Sequence, residues 1–338
     1  MKDIIELIAI SRIKGINPRQ KRELVEERQD NDRFKDLLKG FKDFESIETE
    51  LKTLKDMGVD VITIKDKEYP ELLKNIPDPP LVLYKKGRLP PGTNYLSIVG
   101  SRKASFEGIN ISEKMASTLS SLGVTIVSGL ARGIDSAAHR GALKGKGKTV
   151  AVLGSGIDVC YPPENHWLYK KIGEEGAVIS EYGIGEKPLA YHFPERNRII
   201  AGLSKGVIVI EASARSGSLI TARLALEYNR DVMAIPGNIF DEEHKGANRL
   251  IKEGARLIEG IEDIISVCLP NITLKDKDII DMDEDESYIY SLIGNERVHI
   301  DDIIEQSNRQ AKDVLAIITR LEMKEAIRQF PGGFYLRN

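Results

Sequence analysis

The segment from residue 178 to residue 236 limits the possible folds of this chain most strongly. Two short runs within it, 206–210 and 231–235, consist largely of β-branched and other apolar residues, and their length suits buried strands. The stretch 218–229 between them carries Leu219, Ala222 and Leu226 at helical spacing and predicts a crossover helix. A strand, a helix and a second strand in this order predict parallel strands whose two faces are covered.

The same alternation of strands and helices extends over most of the chain. Besides the two runs above, strands are predicted at 81–84, 95–99, 124–127, 149–153, 177–180 and 256–258. The matching helices are predicted at 108–122, 136–144, 165–174, 218–229 and 246–253. This order predicts an α/β fold with an open, doubly wound parallel sheet, in which ligands bind at the carboxyl ends of the strands.

The chain divides into four predicted segments: an N-terminal helical domain of SAM or helix-hairpin-helix type at 1–66, the α/β domain at 67–268, an acidic linker at 269–285 and a winged-helix domain at 286–338. Three short helices are predicted in the last segment, at 286–293, 299–305 and 309–324. A two-stranded wing then turns at Pro331, Gly332 and Gly333. The acidic balance of this segment favours protein contact or weak backbone binding over readout of DNA bases.

The composition is that of a globular protein, with 41% hydrophobic and 30% charged residues. No apolar run suits a signal peptide or a membrane span, so we expect a cytoplasmic protein without membrane contact. The net charge of −3 conceals an asymmetry. Residues 81–258 contain 24 Lys and Arg against 17 Asp and Glu, a balance of +7, which leaves −10 for the flanks. A basic centre with acidic ends suits an anionic partner that binds centrally.

Four glycine-containing loops follow predicted strands, at 100–103, 128–135, 154–156 and 212–217. Small residues let the backbone approach a phosphate, and helix N-termini and Arg215 add positive charge. The segment 192–198 is predicted to be a further loop, which brings Arg196, Arg198 and Phe193 together. None of the loops has the GxGxxG or GxxxxGK[ST] pattern, so no dinucleotide or other cofactor is predicted.

Several side chains allow other chemistry. Asp135 and His139 stand four residues apart and could form an acid–base pair, although a capping carboxylate with a structural histidine is the preferred interpretation. Glu181 and Glu211 follow strands at the same predicted edge and could serve hydrolysis. No spacing of His, Cys or Asp predicts a metal site. Lys187 precedes the aromatic run 191–193, as expected for a protein that binds single-stranded nucleic acid.

Long strings in the central region resemble the DprA/Smf family, whose type member is the bacterial DNA processing protein A. The strings are IVGSR at 98–102, SGLARGIDSAAHRGA at 128–142, AVLGSGIDVCYPP at 151–163, FPERNRIIAG at 193–202, VIEASARSGSLITAR at 209–223 and AIPG at 234–237. The resemblance implies an extended Rossmann-like domain that binds single-stranded DNA and is not an enzyme. It also implies a homodimer that protects incoming DNA and loads the recombinase RecA onto it during natural transformation.

The resemblance also implies the residues of the site. Arg102 and Lys187 would be the main phosphate contacts, and Phe193 would stack on a base. The pocket would be lined by Gly100, Ser101, Arg196, Asn197, Arg198, Ser216, Gly217, Ser218 and Thr221. The stretch 246–258 corresponds to the self-association surface of the family, with Asn248, Leu250, Ile251 and Leu257 as contact residues.

Two alternatives remain at this point. Ser216 to Thr221 is similar to the phosphate loop of LOG-type nucleotide phosphoribohydrolases, which share this arrangement of the sheet. Those enzymes need a PGGxGT string, from which the sequence around Glu211 departs. A winged-helix regulator with a ligand-sensing core is the other alternative, and it would need a basic recognition helix.

Overall fold

The computed structural model describes residues 2–27, 32–270, 282–294, 297–324 and 326–337. The chain forms two compact units, Met1–Ile272 and Thr273–Asn338. Most of the predicted acidic linker, 269–285, lies outside the described residues. The four-segment division, with its boundary between residues 66 and 67, stays a prediction.

A nine-stranded sheet forms the centre of the first unit. Its strands are β1 Val59–Thr63, β2 Val82–Gly87, β3 Tyr95–Gly100, β4 Thr125–Ser128, β5 Thr149–Val152, β6 Ala177–Ser180, β7 Gly206–Ile210, β8 Asp231–Ala234 and β9 Arg256–Leu257. Their spatial order is β1-β2-β6-β5-β4-β3-β7-β8-β9. In this spatial order, each pair of neighbouring strands from β6 through β3 to β9 is parallel. The pairs β1–β2 and β2–β6 are antiparallel. The predicted doubly wound α/β fold is confirmed.

Twelve helices are described in this unit: α1 Lys2–Arg12, α2 Pro18–Glu26, α3 Asp32–Gly40, α4 Phe44–Asp56, α5 Glu71–Lys74, α6 Phe106–Ser121, α7 Ile134–Lys144, α8 His166–Glu175, α9 His192–Leu203, α10 Ser218–Glu227, α11 Lys245–Lys252 and α12 Ile261–Cys268. The four N-terminal helices share one hydrophobic core with the sheet, to which Leu7, Ile47 and Leu54 contribute. The strands β4 to β7 are buried along their whole length, as expected for parallel strands with helices on both faces.

Two local predictions were wrong. Residues 59–63 form the strand β1, although the segment 1–66 was predicted to be helical throughout. The segment 192–198 is not a loop but the first half of α9. Pro194 occupies the first turn of that helix, where a residue without a backbone N–H costs no hydrogen bond. Proline at this position therefore does not interrupt the helix.

The second unit is a winged helix. It contains α13 Glu284–Leu292, α14 Ile300–Ser307 and α15 Ala311–Met323, and the strands β10 Val298–His299, β11 Ile327–Phe330 and β12 Phe334–Arg337. β11 and β12 form the predicted antiparallel wing, and β10 adds a short strand that the sequence did not predict. Its own small core contains Ile289, Ile303 and Leu321.

Within the described parts of the chain, no helix is long and apolar enough to cross a bilayer.

Candidate functional site

The candidate site lies where the direction of winding in the sheet reverses. From β3 the chain adds β4, β5 and β6 on one side, and it then returns to place β7 on the other side of β3. The ends of these two strands are in register at Gly100 and Ile210, and the N–H of Ser101 donates to the carbonyl of Glu211 over 2.7 Å. A Cβ atom at Gly100 would come within 1.8 Å of the Ile210 carbonyl oxygen, so glycine allows this close approach. Open α/β sheets bind ligands at such switch points.

An open cleft of about 750 Å³ occupies this position. Three of the four predicted glycine loops meet in it, together with one face of α9. Its lining comprises Val99, Gly100, Ser101, Arg102, Lys103, Ala131, Asp135, Tyr161, Pro188, Ala190, Phe193, Pro194, Arg196, Asn197, Ile200, Ser213, Ser216, Gly217, Ser218, Ile220, Thr221 and Glu243. The third loop, 154–156, does not line the cleft. Gly154 instead packs against the Phe193 ring.

The residues of α9 that line the cleft lie on one face of the helix. Phe193, Arg196, Asn197 and Ile200 stand at positions i, i+3, i+4 and i+7 and share the face towards the cleft. Asn197 donates from its side-chain amide to the carbonyl of Gly217 over 3.3 Å and so ties α9 to the loop before α10. Helical spacing therefore explains why these residues line the cleft together.

Arg196 is a buried part of the cleft wall. Only 3% of its surface is exposed, and its guanidinium donates to the carbonyl oxygens of Gly129, over 2.7 Å, and Val152. Burial lowers the pKa of Arg196 to about 10, so it stays charged at neutral pH. The side chain thus fixes the ends of β4 and β5 to α9 and adds a positive charge beneath the cleft.

Arg198 lies away from the cleft, contrary to prediction. Its guanidinium donates to both carboxylate oxygens of Glu181, over 2.5 and 2.6 Å, and lies 3.8 Å from Asp78. Burial alone would lower the pKa of Arg198, but the two carboxylates outweigh burial and raise it. Arg198 is therefore a structural residue, because its position on α9 directs it to the side opposite the cleft.

The hypothesis of a Glu181–Glu211 pair was also wrong, since each carboxylate has other partners. Glu181 is held by Arg198. Glu211 is buried and accepts hydrogen bonds from the hydroxyl and, over 2.8 Å, the backbone N–H of Ser105. It belongs to the N-terminal cap of α6 and is absent from the cleft lining.

A cluster of aromatic and cationic side chains forms one wall of the cleft. The Arg102 guanidinium lies 5.1 Å from the centre of the Phe193 ring, and that of Arg196 lies 5.9 Å from it. The Tyr161 ring packs against Phe193 at 5.6 Å between centroids. Sequence reasoning did not single out Tyr161. The signal was its place in the 151–163 string, at the end of a loop that follows β5.

The cations of the cleft differ in position. Arg102 and Lys103 are exposed, and no described carboxylate lies within ion-pair distance of either. Lys187 and Arg215 are also exposed, but their side chains do not line the cleft. Each precedes a lining residue, Pro188 or Ser216, at the rim. The structure thus brings Arg102 into the cleft and leaves Lys187 and Arg215 at its edge.

Two acids line the cleft and are hydrogen-bonded there. Glu243 accepts from the Ser101 hydroxyl over 2.9 Å. Asp135 accepts from the N–H of Gly129 over 3.1 Å, and burial raises its pKa although Arg196 opposes the shift. His139 contacts the Thr149 hydroxyl at 2.7 Å and forms no pair with Asp135. The structural role of His139 therefore fits the structure. The capping role of Asp135 was wrong, because Asp135 is the second residue of α7 and the N-cap, Gly133, forms no side-chain cap hydrogen bond.

The N-terminus of α10 forms the opposite wall. Ser216, Gly217, Ser218 and Thr221 all line the cleft, as predicted from the resemblance. The hydroxyls of Ser216 and Ser218 lie 2.7 Å apart. A Cβ atom at Gly217 would meet no protein atom within 4 Å, so packing within the protein does not require glycine there. The absence of a side chain instead leaves space at a helix N-terminus, where anions bind favourably.

The four residues predicted for self-association have different surroundings. Leu250 is buried in the core of the first unit, so it is not available to a partner. The Asn248 amide forms two hydrogen bonds with the backbone of Gly237, of 2.9 and 3.1 Å. Ile251 is half-buried, and Leu257 is 40% exposed on the edge strand β9. Ile251 and Leu257 are thus the two apolar side chains of this set that remain accessible.

Comparison with known proteins identifies the family. A model of the family "DNA recombination-mediator protein A" matches residues 60–268, and a model of the "DprA winged helix domain" matches residues 275–333. The chain belongs to the DprA/Smf family. DNA processing protein DprA of Streptococcus pneumoniae is 50% identical over 205 residues, which cover 60% of this chain and 72% of that protein. Protein Smf of Escherichia coli is 38% identical over 304 residues, or 86% of this chain and 80% of its own length.

Solved structures of DprA proteins share the fold. The structure of Streptococcus pneumoniae DprA has a TM-score of 0.62 and 44% identity, and the match covers 69% of this chain and 80% of that one. A structure of Helicobacter pylori DprA, described as showing a unique mode of single-stranded DNA binding, has a TM-score of 0.56 and 29% identity. That match covers 64% of this chain and 97% of the other. Membership of the DprA/Smf family places the chain among proteins of DNA processing and recombination.

Proposed function

We propose that this protein binds single-stranded DNA in the cleft between β3 and β7. The observation that carries the proposal is the Phe193–Arg102 contact within the cleft, opposite the N-terminus of α10. An aromatic ring offers a sequence-independent stacking surface for a base, and an unpaired arginine and a helix N-terminus offer binding sites for phosphates. A strand with unpaired bases presents both groups at once, whereas a duplex hides its base faces.

The binding mode reported for Helicobacter pylori DprA supports this assignment, since the two chains share the fold. In this proposal Arg102 is the central phosphate contact. Lys187 and Arg215 extend the positive surface at the rim, and Arg196 acts through its buried charge and by fixing the cleft wall.

The wider role is also part of the proposal. The protein would act as a homodimer in the cytoplasm, protect incoming DNA from nucleases and load RecA onto it during natural transformation. It would do so without catalysing a reaction. The family membership supports these steps as a group, and each of them needs its own test.

The first test is a titration of a fluorescent single-stranded oligonucleotide with the Arg102→Ala, Lys187→Ala double variant at several salt concentrations. We expect weaker binding and a flatter plot of log K against log salt, with a slope smaller by about 0.7 per lost phosphate contact. Lys144→Ala with Lys148→Ala is the matched control, because these exposed lysines lie at the opposite, amino-terminal end of β5. Equal affinity and slope in the two double variants would remove Arg102 and Lys187 from the site.

The alternative hydrolase makes a different prediction. A LOG-type enzyme would release free base from nucleoside monophosphates, which chromatography detects. The carboxylate that follows β7, Glu211, accepts hydrogen bonds from Ser105, the N-cap of α6, and does not line the cleft, which favours binding over hydrolysis. Release of base that Arg102→Ala abolishes would favour the enzyme.

A further inference from the structure

The segment 183–188, here called the Lys187 loop, follows β6 and leads into α9. Two hydrogen bonds attach its backbone to the loop that follows β5. The N–H of Gly185 donates to the Asp158 carboxylate over 2.9 Å, and the carbonyl of Glu186 accepts from the N–H of Gly156 over 2.8 Å. Both partners belong to the loop that follows β5. These bonds hold the half of the loop that lies nearer the cleft.

A third attachment comes from the N-terminal helices. Glu50, in the middle of α4, accepts a hydrogen bond from the N–H of Ile184 over 3.2 Å. The same carboxylate forms an ion pair with Arg12 of α1, and Arg12 also donates to the Tyr84 hydroxyl over 3.1 Å. Only 14% of the Glu50 side chain is exposed, so water screens these contacts weakly.

The ends of the Glu50 and Arg12 side chains lie close to the backbone of the Lys187 loop at Gly183. A Cβ atom at Gly183 would come within 2.7 Å of the Glu50 carboxylate and 2.8 Å of the Arg12 guanidinium. The Arg12–Glu50 pair therefore lies directly against the backbone of the Lys187 loop. The N-terminal helices, which supply no residue to the cleft lining, are connected through Glu50 to the segment that carries Lys187.

We propose that Glu50 is a positioning residue for DNA binding, which acts by holding the Lys187 loop in the conformation that presents Lys187 at the rim of the cleft. This inference rests on the proposed function, in which Lys187 neutralises a phosphate. A long, exposed lysine loses conformational freedom when it binds, and a loop that is already ordered reduces that loss. Without Glu50 the backbone at Ile184 is released, and DNA binding must order it again.

The test is a double-mutant cycle on the full-length protein. Affinity for a single-stranded oligonucleotide is measured for the wild type, Glu50→Ala, Lys187→Ala and the double variant. We expect Glu50→Ala to weaken binding by about three- to tenfold, the range for loss of one ordinary hydrogen bond, because Glu50 acts on DNA only through the loop. In the Lys187→Ala background the same change should have no further effect, because Glu50 acts through Lys187.

Two further variants separate positioning from general stability. Glu50→Gln keeps an amide oxygen that can accept from Ile184, so it should recover part of the lost affinity. Glu48→Ala removes an exposed carboxylate from the same helix and should bind like the wild type. Hydrogen exchange of peptides from 183–190 should become faster in Glu50→Ala and remain unchanged in Glu48→Ala. If Glu50 only stabilised the fold, Glu50→Ala would lower the melting temperature. Its effect on DNA affinity would then add to that of Lys187→Ala, and Glu50→Gln would not recover affinity.

The outcomes are distinguishable from failure of the proposed function. If the wild type does not bind single-stranded DNA, the proposed function fails before Glu50 is considered. If the wild type binds but Glu50→Ala matches Glu48→Ala, the positioning role is overturned. It is equally overturned if Glu50→Ala and Lys187→Ala weaken binding additively, or if Lys187→Ala alone has no effect.

Discussion

Burial separates the arginines near the cleft into two kinds. Arg102 is exposed, contacts the Phe193 ring and can move to meet a phosphate. Arg196 and Arg198 are 3% and 5% exposed, and their guanidinium groups are occupied by carbonyls or carboxylates of the protein itself. A buried guanidinium with protein partners cannot exchange them for a ligand without a desolvation cost. The chemistry of a residue type is therefore a weaker guide to its role than its exposure.

Two glycines of the cleft allow a prediction about size. Gly217→Ala should leave the protein folded, because the added methyl group meets no protein atom, but it should weaken DNA binding by occupying the cleft. A small steric cost of about 1 kcal/mol corresponds to a roughly fivefold higher Kd. Gly100→Ala should instead destabilise the fold by about 1–3 kcal/mol or more, since its methyl group would collide with the Ile210 carbonyl.

The loss of stability is measured by urea unfolding, with the fluorescence of the single tryptophan, Trp167, as the probe. The loss of DNA affinity is measured by oligonucleotide titration. Normal DNA affinity in folded Gly217→Ala would contradict the placement of DNA at the N-terminus of α10.

His139 gives a prediction about pH. Burial, with nearby Arg196 and Arg140, lowers the pKa of His139 from 6.5 to about 3. The folded protein therefore keeps this side chain neutral at pH values where the unfolded chain binds a proton. The neutral His139 therefore costs no stability above about pH 6.5. Below that pH the free energy of unfolding falls, with a limiting slope of about 1.4 kcal/mol per pH unit.

Comparison of the wild type with His139→Gln between pH 7 and pH 5 tests this prediction. The free energy of unfolding of the wild type should fall more steeply on acidification than that of the variant. Parallel pH curves for the two proteins would show that His139 can be protonated in the folded state.

At the scale of elements, the important feature is the end of the sheet formed by α11 and β9. The strand β9 has only two residues, both exposed, and no described strand pairs with its outer edge. Leu257 of β9 is 40% exposed, and Ile251 lies half-buried on α11. An open sheet edge with adjacent apolar side chains is a suitable surface for self-association.

We predict that Ile251→Glu with Leu257→Glu converts the proposed dimer to a monomer, because like charges would face each other across a symmetric contact. Light scattering after size-exclusion chromatography measures the change. Met57→Glu, at an exposed apolar residue after α4, is the control and should remain dimeric. A wild-type protein that is monomeric at micromolar concentration would refute the proposed dimer, and a dimeric double variant would exclude this surface from it.

At the scale of the whole molecule, positive charge is concentrated in the central region while the winged helix is acidic. Within that second unit, Arg309 pairs with Asp285 at 2.6 Å. Arg320 lies within 3.5 Å of both Asp283 and Glu286. The basic side chains in and just before α15 are therefore partly neutralised by carboxylates at the N-terminus of α13. This agrees with the prediction that DNA readout by this unit is disfavoured.

Replacement of Arg309 and Arg320 by alanine should accordingly leave the affinity for single-stranded DNA and its salt dependence nearly unchanged. The pairs are exposed to solvent, so their loss should change the stability of the fold little. The same titration that tests Arg102 measures this, and a loss of affinity similar to that of Arg102→Ala would assign DNA binding to the winged helix as well.

The sequence by itself determined the doubly wound sheet, the winged helix and three of the four predicted glycine loops at the cleft. Periodicity predicts buried strands such as Gly206–Ile210 because apolar spacing follows directly from backbone geometry, and long strings such as the one at 128–142 indicate the family. The sequence also placed Arg102 and Gly217 in one site, because parallel strands end at the same edge of a sheet, and the family resemblance added Phe193.

Only the tertiary structure decided which of these side chains face the cleft. Arg196 and Arg198 stand two residues apart, yet one forms the cleft wall and the other pairs with Glu181. That difference depends on α9 being a helix and on what surrounds it, and neither is encoded in the local pattern. The contact of Glu50 with Ile184 joins residues 134 positions apart for the same reason. Hydrogen bonds and burial between distant segments arise from packing, so a single sequence does not reveal them.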